Sequence, residues 1–209
     1  GNAIEGARFR VGGTTTTAFS KRLFLEGYAA YGTTDRKIKY DALIEYSFND
    51  KKEYRKEFPV NSIRLEYLYD INQLGQQYMY TNKDNIFLAW KRQRDTRATY
   101  LRNAELTYYR EHYNGIAYGA VLRNKKEYST DYAVFDRIEE DGRITPIKSY
   151  SMTELEFKFR YAPNEKFYQT RNYRYPITFD APVITLNHIT ARKGVLGADY
   201  TYNRTDLGI

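Results

Sequence analysis

The sequence predicts an all-β chain, an antiparallel transmembrane β-barrel segment of about ten strands. Three observations predict it. Apolar and polar residues alternate with period two over long segments, which places one set on each face of a strand. Several of those segments run roughly 8–12 residues, near the ~9–11 that a tilted strand needs to cross a bilayer and longer than the ~5–6 usual in soluble sheets. The 209 residues include 23 Tyr and 11 Phe but only 5 Pro; aromatic side chains suit a pleated, half-buried surface and Pro damages strand interiors.

Taken in order, Gly6 to Gly13 sets Ala7, Phe9 and Val11 against Arg8 and Arg10. Arg22 to Gly32 follows, with Leu23, Leu25, Gly27, Ala29 and Tyr31 on one side. Ile38 to Phe48 is the cleanest case: Ile38, Tyr40, Ala42, Ile44, Tyr46 and Phe48 oppose Lys39, Asp41, Leu43, Glu45 and Ser47. Ile63, Leu65, Tyr67 and Tyr69 oppose Arg64, Glu66, Leu68 and Asp70. A shorter apolar run, Asn85 to Arg92, holds Trp90, the only tryptophan. Tyr100 to Tyr113 and Ile116 to Arg123 come next, then Glu154 to Tyr161, where Leu155, Phe157, Phe159 and Tyr161 oppose Glu154, Glu156, Lys158 and Arg160. Val183 to Thr190 and Ala198 to Arg204 close the set. None of these faces would gather on one side of a helix.

Asn114-Gly115 is the strongest short hairpin signal, and Thr33-Thr34-Asp35-Arg36 is a second tight connection. Residues 124–151 and 162–182 are read as long connections. The connections 70–85 and 162–182 would then share an end of the barrel, where short turns are expected.

Alternation alone does not choose between a soluble sheet and a membrane barrel, because a soluble sheet also has an apolar and a polar face. Tyrosines near strand ends suit a membrane–water boundary, with an apolar ring and a wet hydroxyl. Charges recur at mid-strand on the polar face: Asp41, Glu45, Arg64, Glu66, Glu156, Lys158 and Arg160. In a barrel they form a lumen network of ion pairs. In a soluble, β-rich module that binds carbohydrate or protein they are a solvated face, and the tyrosines stack on sugar rings.

The formal charge is +7, but 33 basic residues lie scattered among 26 acids, so no nucleic-acid partner is expected. There is no cysteine, which excludes disulfides and thiolate chemistry. His112 and His188 stand far apart and lack the spacing of a zinc site. The acidic stretch Asp136 to Asp141 lacks the regular spacing of a calcium loop. No phosphate loop, dinucleotide fingerprint or nucleophile elbow occurs. The expectation is no enzyme and no cofactor. The chain opens on Gly1 rather than Met, so it is read as processed, trimmed or part of something longer.

Several stretches carry a resemblance. They are Ile4-Glu5-Gly6-Ala7-Arg8-Phe9-Arg10; Phe19-Ser20-Lys21-Arg22 with Glu26-Gly27-Tyr28-Ala29-Ala30-Tyr31-Gly32; Glu57-Phe58-Pro59 with Asn61-Ser62; Arg160-Tyr161-Ala162-Pro163-Asn164-Glu165-Lys166-Phe167-Tyr168-Gln169; and Lys193-Gly194-Val195-Leu196-Gly197 with Asp199-Tyr200. Together they resemble the barrel region of Bacteroidota outer-membrane proteins known as a domain of unknown function, which carry an N-terminal carboxypeptidase-regulatory-like β-sandwich and a barrel similar to the BamA and TamA surface-antigen type. The resemblance implies residues 1–209 as one partial domain of a larger barrel, of sixteen strands, in the bacterial outer membrane. It implies partners among outer-membrane lipid, lipopolysaccharide and other outer-membrane or periplasmic proteins, and a role in envelope biogenesis or protein insertion. BamA-type barrels carry an inward loop with an Arg-Gly motif. This chain has no convincing copy, and the stretch 162–174, with Arg171 and Arg174, is the candidate for an analogous internal loop. The sandwich is absent, and the chain ends on Ile209 without a terminal aromatic residue; both departures are read as signs of a fragment.

Overall fold

The computed structural model describes residues 4–73, 98–131, 133–139, 141–170, 174–177 and 182–208. They form thirteen strands: β1 (Arg8–Thr14), β2 (Leu23–Gly32), β3 (Ile38–Ser47), β4 (Asn61–Gln73), β5 (Ala98–Glu111), β6 (Ile116–Tyr128), β7 (Phe135–Ile138), β8 (Ile144–Ile147), β9 (Ser149–Tyr161), β10 (Phe167–Gln169), β11 (Arg174–Pro176), β12 (Ile184–Ala191) and β13 (Tyr202–Gly208). There is no α-helix among the described residues. Nine strands build one antiparallel sheet in the order β1-β2-β3-β4-β5-β6-β9-β12-β13, and β7-β8 and β10-β11 are separate hairpins. Among the described residues β1 pairs only with β2 and β13 only with β12, so the sheet is open there and closure into a barrel is not seen.

Nine of the ten expected strands appear. The tenth, Asn85 to Arg92, lies outside the described residues. β4 and β5 pair directly, from Asn61 opposite Arg110 to Gln73 opposite Ala98, so no strand stands between them in the sheet. This corrects the placement of the long connections: 74–97 and 162–183 fall at opposite ends of the sheet rather than at the same end. We call the end holding the β2–β3 turn end A and the end holding the β5–β6 turn end B.

The stretch 124–151 is also less of a loop than expected. β6 runs on to Tyr128 and β9 begins at Ser149, paired residue for residue, and the remainder contains the β7–β8 hairpin. The charged residues Lys125, Lys126 and Glu127 hid the extension, because they break the apolar period while keeping the backbone ladder. At the other extreme, β13 starts at Tyr202 rather than Ala198, since Val195–Gly197 makes a 3-10 turn.

The sheet curves. Arg8 of β1 bonds both carboxylate oxygens of Asp70 of β4, at 2.8 and 2.6 Å. Three strand spacings of about 4.8 Å would hold these residues roughly 14 Å apart in a flat sheet, beyond the joint reach of one Arg and one Asp. The polar face is therefore concave. Gly32 lies in this concavity: a Cβ there would meet Asp35 Oδ1 at 2.3 Å and Lys39 Nζ at 2.7 Å.

The Asn114-Gly115 signal marks the β5–β6 turn. The His112 amide donates to the Ile116 carbonyl at 2.8 Å, and Gly115 takes φ 83°, the left-handed position that closes a three-residue hairpin loop. The turn packs against the start of the next long connection, where a Cβ on Gly115 would come within 2.3 Å of the Ala162 carbonyl oxygen. Gly115→Ala is expected to destabilise the folded protein by at least ~1 kcal/mol through combined backbone strain and clash. A urea titration of the full-length protein checks this, with Gly13→Ala as the neutral control and Gly142→Ala, at φ 82° with nothing near its Cβ, separating strain from clash.

Candidate functional site

The two faces of the sheet reverse the usual burial. Ile44, Leu65 and Phe157 are 50, 53 and 49 % exposed, whereas Glu45 and Glu156 are 6 and 5 % exposed. A soluble sheet buries its apolar face and wets its charges.

On the concave face the hub is Arg123 of β6. Its guanidinium donates to Glu105 of β5 at 2.8 Å and to Glu154 and Glu156 of β9 at 3.0 and 3.2 Å. Arg64 of β4 bonds the other oxygen of Glu105 at 3.1 Å and lies 3.9 Å from Glu66. Lys125 reaches Glu154 at 3.3 Å and Lys158 reaches Glu156 at 3.5 Å. Tyr202 of β13 donates its hydroxyl to Glu154. Four cations thus face four carboxylates, and the set joins β4, β5, β6, β9 and β13.

A second cluster holds end A. Lys39, fully buried, lies 3.0 Å from Glu5 and 2.6 Å from Asp35. Arg8 bridges Glu5 and Asp70, and Tyr28 donates to Asp70. Asp35 sits in the β2–β3 turn. Burial alone would raise its carboxyl, but hydrogen bonds from Lys39, Tyr100 and the Lys37 amide overcome that and hold it below its ordinary value.

A connection does cross the concave face, and it is 48–60. Arg55 pairs with Glu26 at 2.8 Å and Glu45 at 3.4 Å, both on that face. Lys51, buried, donates to the carbonyls of Glu57 and Pro59 at 2.5 and 2.9 Å. Beneath it lies a cavity of about 450 Å³ lined by Glu45, Tyr54, Lys56, Arg64, Tyr109 and Lys158 among others. Of the expected internal loop, Arg171 lies outside the described residues. Arg174 opens β11, opposite Gln169 in the ladder with β10. The near part of that stretch meets the concave face through Glu165, which pairs with Arg160.

The convex face is organised in rows. Leu25, Ile44, Leu65, Leu106, Leu122 and Leu155 are successive cross-strand partners. Toward end A, Tyr67, Tyr40, Tyr69 and Tyr100 form a continuous ladder with centroids 5.9, 5.8 and 6.0 Å apart. The apolar band does not run straight across the strands. On β1 it is Phe9 and Val11, near end A; on β12 and β13 it is Ile184, Leu186 and Leu207, near end B. Following the register, the band shifts by roughly nine residues over about eight strand steps. At ~3.3 Å per residue and ~4.8 Å per step this is an inclination of roughly 40°.

Residues 2–209 match the C-terminal domain of DUF5686, a family of unknown function. The chain belongs to that family. No curated protein and no solved structure matches it. In this DUF5686 domain all seven residues expected in a polar network, Asp41, Glu45, Arg64, Glu66, Glu156, Lys158 and Arg160, stand on the concave face. Six have the partners named above; Asp41 faces Tyr28 and Leu68 in register.

The centre of the network was not among them. Arg123 shares its face with Ala117, Gly119 and Val121, so its own strand reads as apolar on that side and gives no warning of an ion pair. Glu105 lies within Tyr100 to Tyr113, where the alternation is rough and does not single it out. Of the acidic stretch, Asp136 lies in β7, Asp141 pairs with Arg143 and Glu139 accepts from Thr145. Among the described residues no group of three His or acidic side chains is placed to hold a metal ion.

Removing Arg123 leaves three carboxylates buried without their shared cation. Arg123→Ala is expected to cost about 3–5 kcal/mol in urea unfolding of the full-length protein, with Arg123→Lys recovering part of it. The Asp35 shift sets a sign. Its folded value lies below the unfolded one near ~4, so its contribution is present above that pH and is lost as pH falls through the depressed value. The stability gap between wild type and Asp35→Asn should shrink as unfolding is measured from about pH 6 down to pH 3.

Proposed function

We propose that this chain is a membrane-spanning barrel region of a bacterial outer-membrane protein, acting in envelope biogenesis or protein insertion, or as a component of an outer-membrane complex. The observation that carries this reading is the reversed burial: a convex face of Leu, Ile and Phe open to the surroundings over a concave face of paired charges. In water that arrangement exposes apolar area and gains nothing; against acyl chains it satisfies both faces. The inclined band supports the same reading. Its roughly 40° slope falls within the ~35–45° strand tilt of transmembrane barrels, and tyrosines gather at its end-A margin as at a membrane boundary.

In this reading the apolar band contacts lipid, the network centred on Arg123 lines the interior, and 48–60 narrows it. The likeness to BamA- and TamA-type barrels, the Bacteroidota source and the sixteen-strand total belong to the proposal. In this reading the interior is scaffold and passage.

Two measurements test this. Full-length protein expressed in its host should fractionate with the outer membrane and migrate faster unboiled than boiled. A soluble, heat-insensitive monomer would replace the barrel with the β-rich binding module. Depletion of the protein should lower the levels of other outer-membrane barrels. Unchanged levels would refute the insertion role and leave a structural component.

A further inference from the structure

Arg102 of β5 and Lys126 of β6 are direct cross-strand partners on the convex face. Like charges placed opposite one another destabilise a sheet. On the concave face a strand cation is met by a carboxylate. Here, among the described residues, neither Arg102 nor Lys126 has a carboxylate at ion-pair distance. The concave clusters cannot serve them, because they stand on the other side of the sheet.

Their level is specific. On β5 the apolar band begins one row away at Ala104, and on β6 it begins at Leu122. Tyr69 is the register partner of Arg102 on its other side. Lys126 Nζ lies over the Tyr128 ring at 5.3 Å, and Lys37, in the turn beside them, lies over Tyr100 at 3.8 Å. Three cations therefore stand along the end-A margin of the band, among tyrosines. Asp35, in the same turn as Lys37, is taken by Lys39 and Tyr100.

We propose that Arg102 and Lys126, with Lys37 beside them, form a binding site for the phosphate of an anionic lipid headgroup. The inference rests on the membrane reading above and fixes where along the band the headgroups lie. A phosphate between the two strands neutralises the opposed charges and accepts from the guanidinium in the fork geometry that suits it. The adjacent tyrosines cover the glycerol and upper acyl region. The commitment to lipid over a free anion comes from position: the site opens along the apolar band rather than into a polar pocket, so its occupant must be apolar on one side.

The test uses the full-length protein in zwitterionic detergent, wild type and Arg102→Ala/Lys126→Ala. Its readouts are the thermal midpoint of heat-modifiable migration and lipid retained in native mass spectrometry. The probes are phosphatidylglycerol, phosphatidylcholine and inorganic phosphate. Phosphatidylglycerol should raise the wild-type midpoint and be retained, phosphatidylcholine and inorganic phosphate should not, and the double variant should bind phosphatidylglycerol about thirty-fold more weakly. Arg110→Ala, on the same strand and face toward end B, should behave as wild type. The double variant removes a repulsion, so without lipid its midpoint should equal or exceed the wild-type value. An unchanged lipid response in the double variant overturns the site. An equal response to inorganic phosphate overturns the lipid assignment. A wild-type protein that is heat-modifiable but indifferent to lipid charge sinks this inference alone, while a wild type that is soluble and never heat-modifiable sinks the membrane reading with it.

Discussion

A guanidinium withdrawn from water has to be surrounded by acceptors, and Arg123 meets that demand with carboxylates from the strand on either side. The geometry of the sheet depends on it. Glu105 and Glu154 are its direct cross-strand partners and Glu156 its diagonal one, so a single cation ties β5, β6 and β9 along their polar side. Arg64 and Tyr202 extend the same set to β4 and β13. Curvature, in turn, crowds the concave face, and crowding removes water and makes each further charge need a partner. Arg8 and Asp70, three strands apart, show how far the bend carries.

The convex face follows from the same bend. With most ionisable groups of the central strands drawn inward, what remains outside is chiefly Leu, Ile, Phe and the rings of Tyr. Among the described residues that face is a single layer of strands, met toward end A by the 3-10 turn at Val195–Gly197 through Asn124 and Thr153. On the proposed reading this outer surface meets acyl chains while the paired charges stay inside.

Much of this was legible in the sequence because period two is a local signal. Ile38 to Phe48 and Glu154 to Tyr161 declare both faces within one strand, and their charged positions lie where alternation puts them. What was not legible depends on neighbours that are distant in sequence. Arg123 follows three small or apolar residues on its face, so only the pairing of β6 with β5 and β9 reveals its partners. The charged end of β6 reads as loop until its ladder with β9 is seen. Arg55 sits in a polar connection, and nothing local distinguishes it from a solvated arginine; its place over Glu45 follows from how 48–60 folds back. The slope of the apolar band is likewise invisible strand by strand, since it exists only in the register between them.

The row from Leu25 to Leu155 places one aliphatic residue per strand at a single level across six strands. Because side chains alternate, a slip of one residue in any ladder would turn that strand inside out, setting carboxylates outward and leucine among the ions. A slip of two would keep the faces but step the row and part Arg123 from its carboxylates. The paired faces thus act as a proofreading code for assembly: the outer side rejects odd errors, the inner side rejects even ones, and only one alignment of neighbouring strands satisfies both.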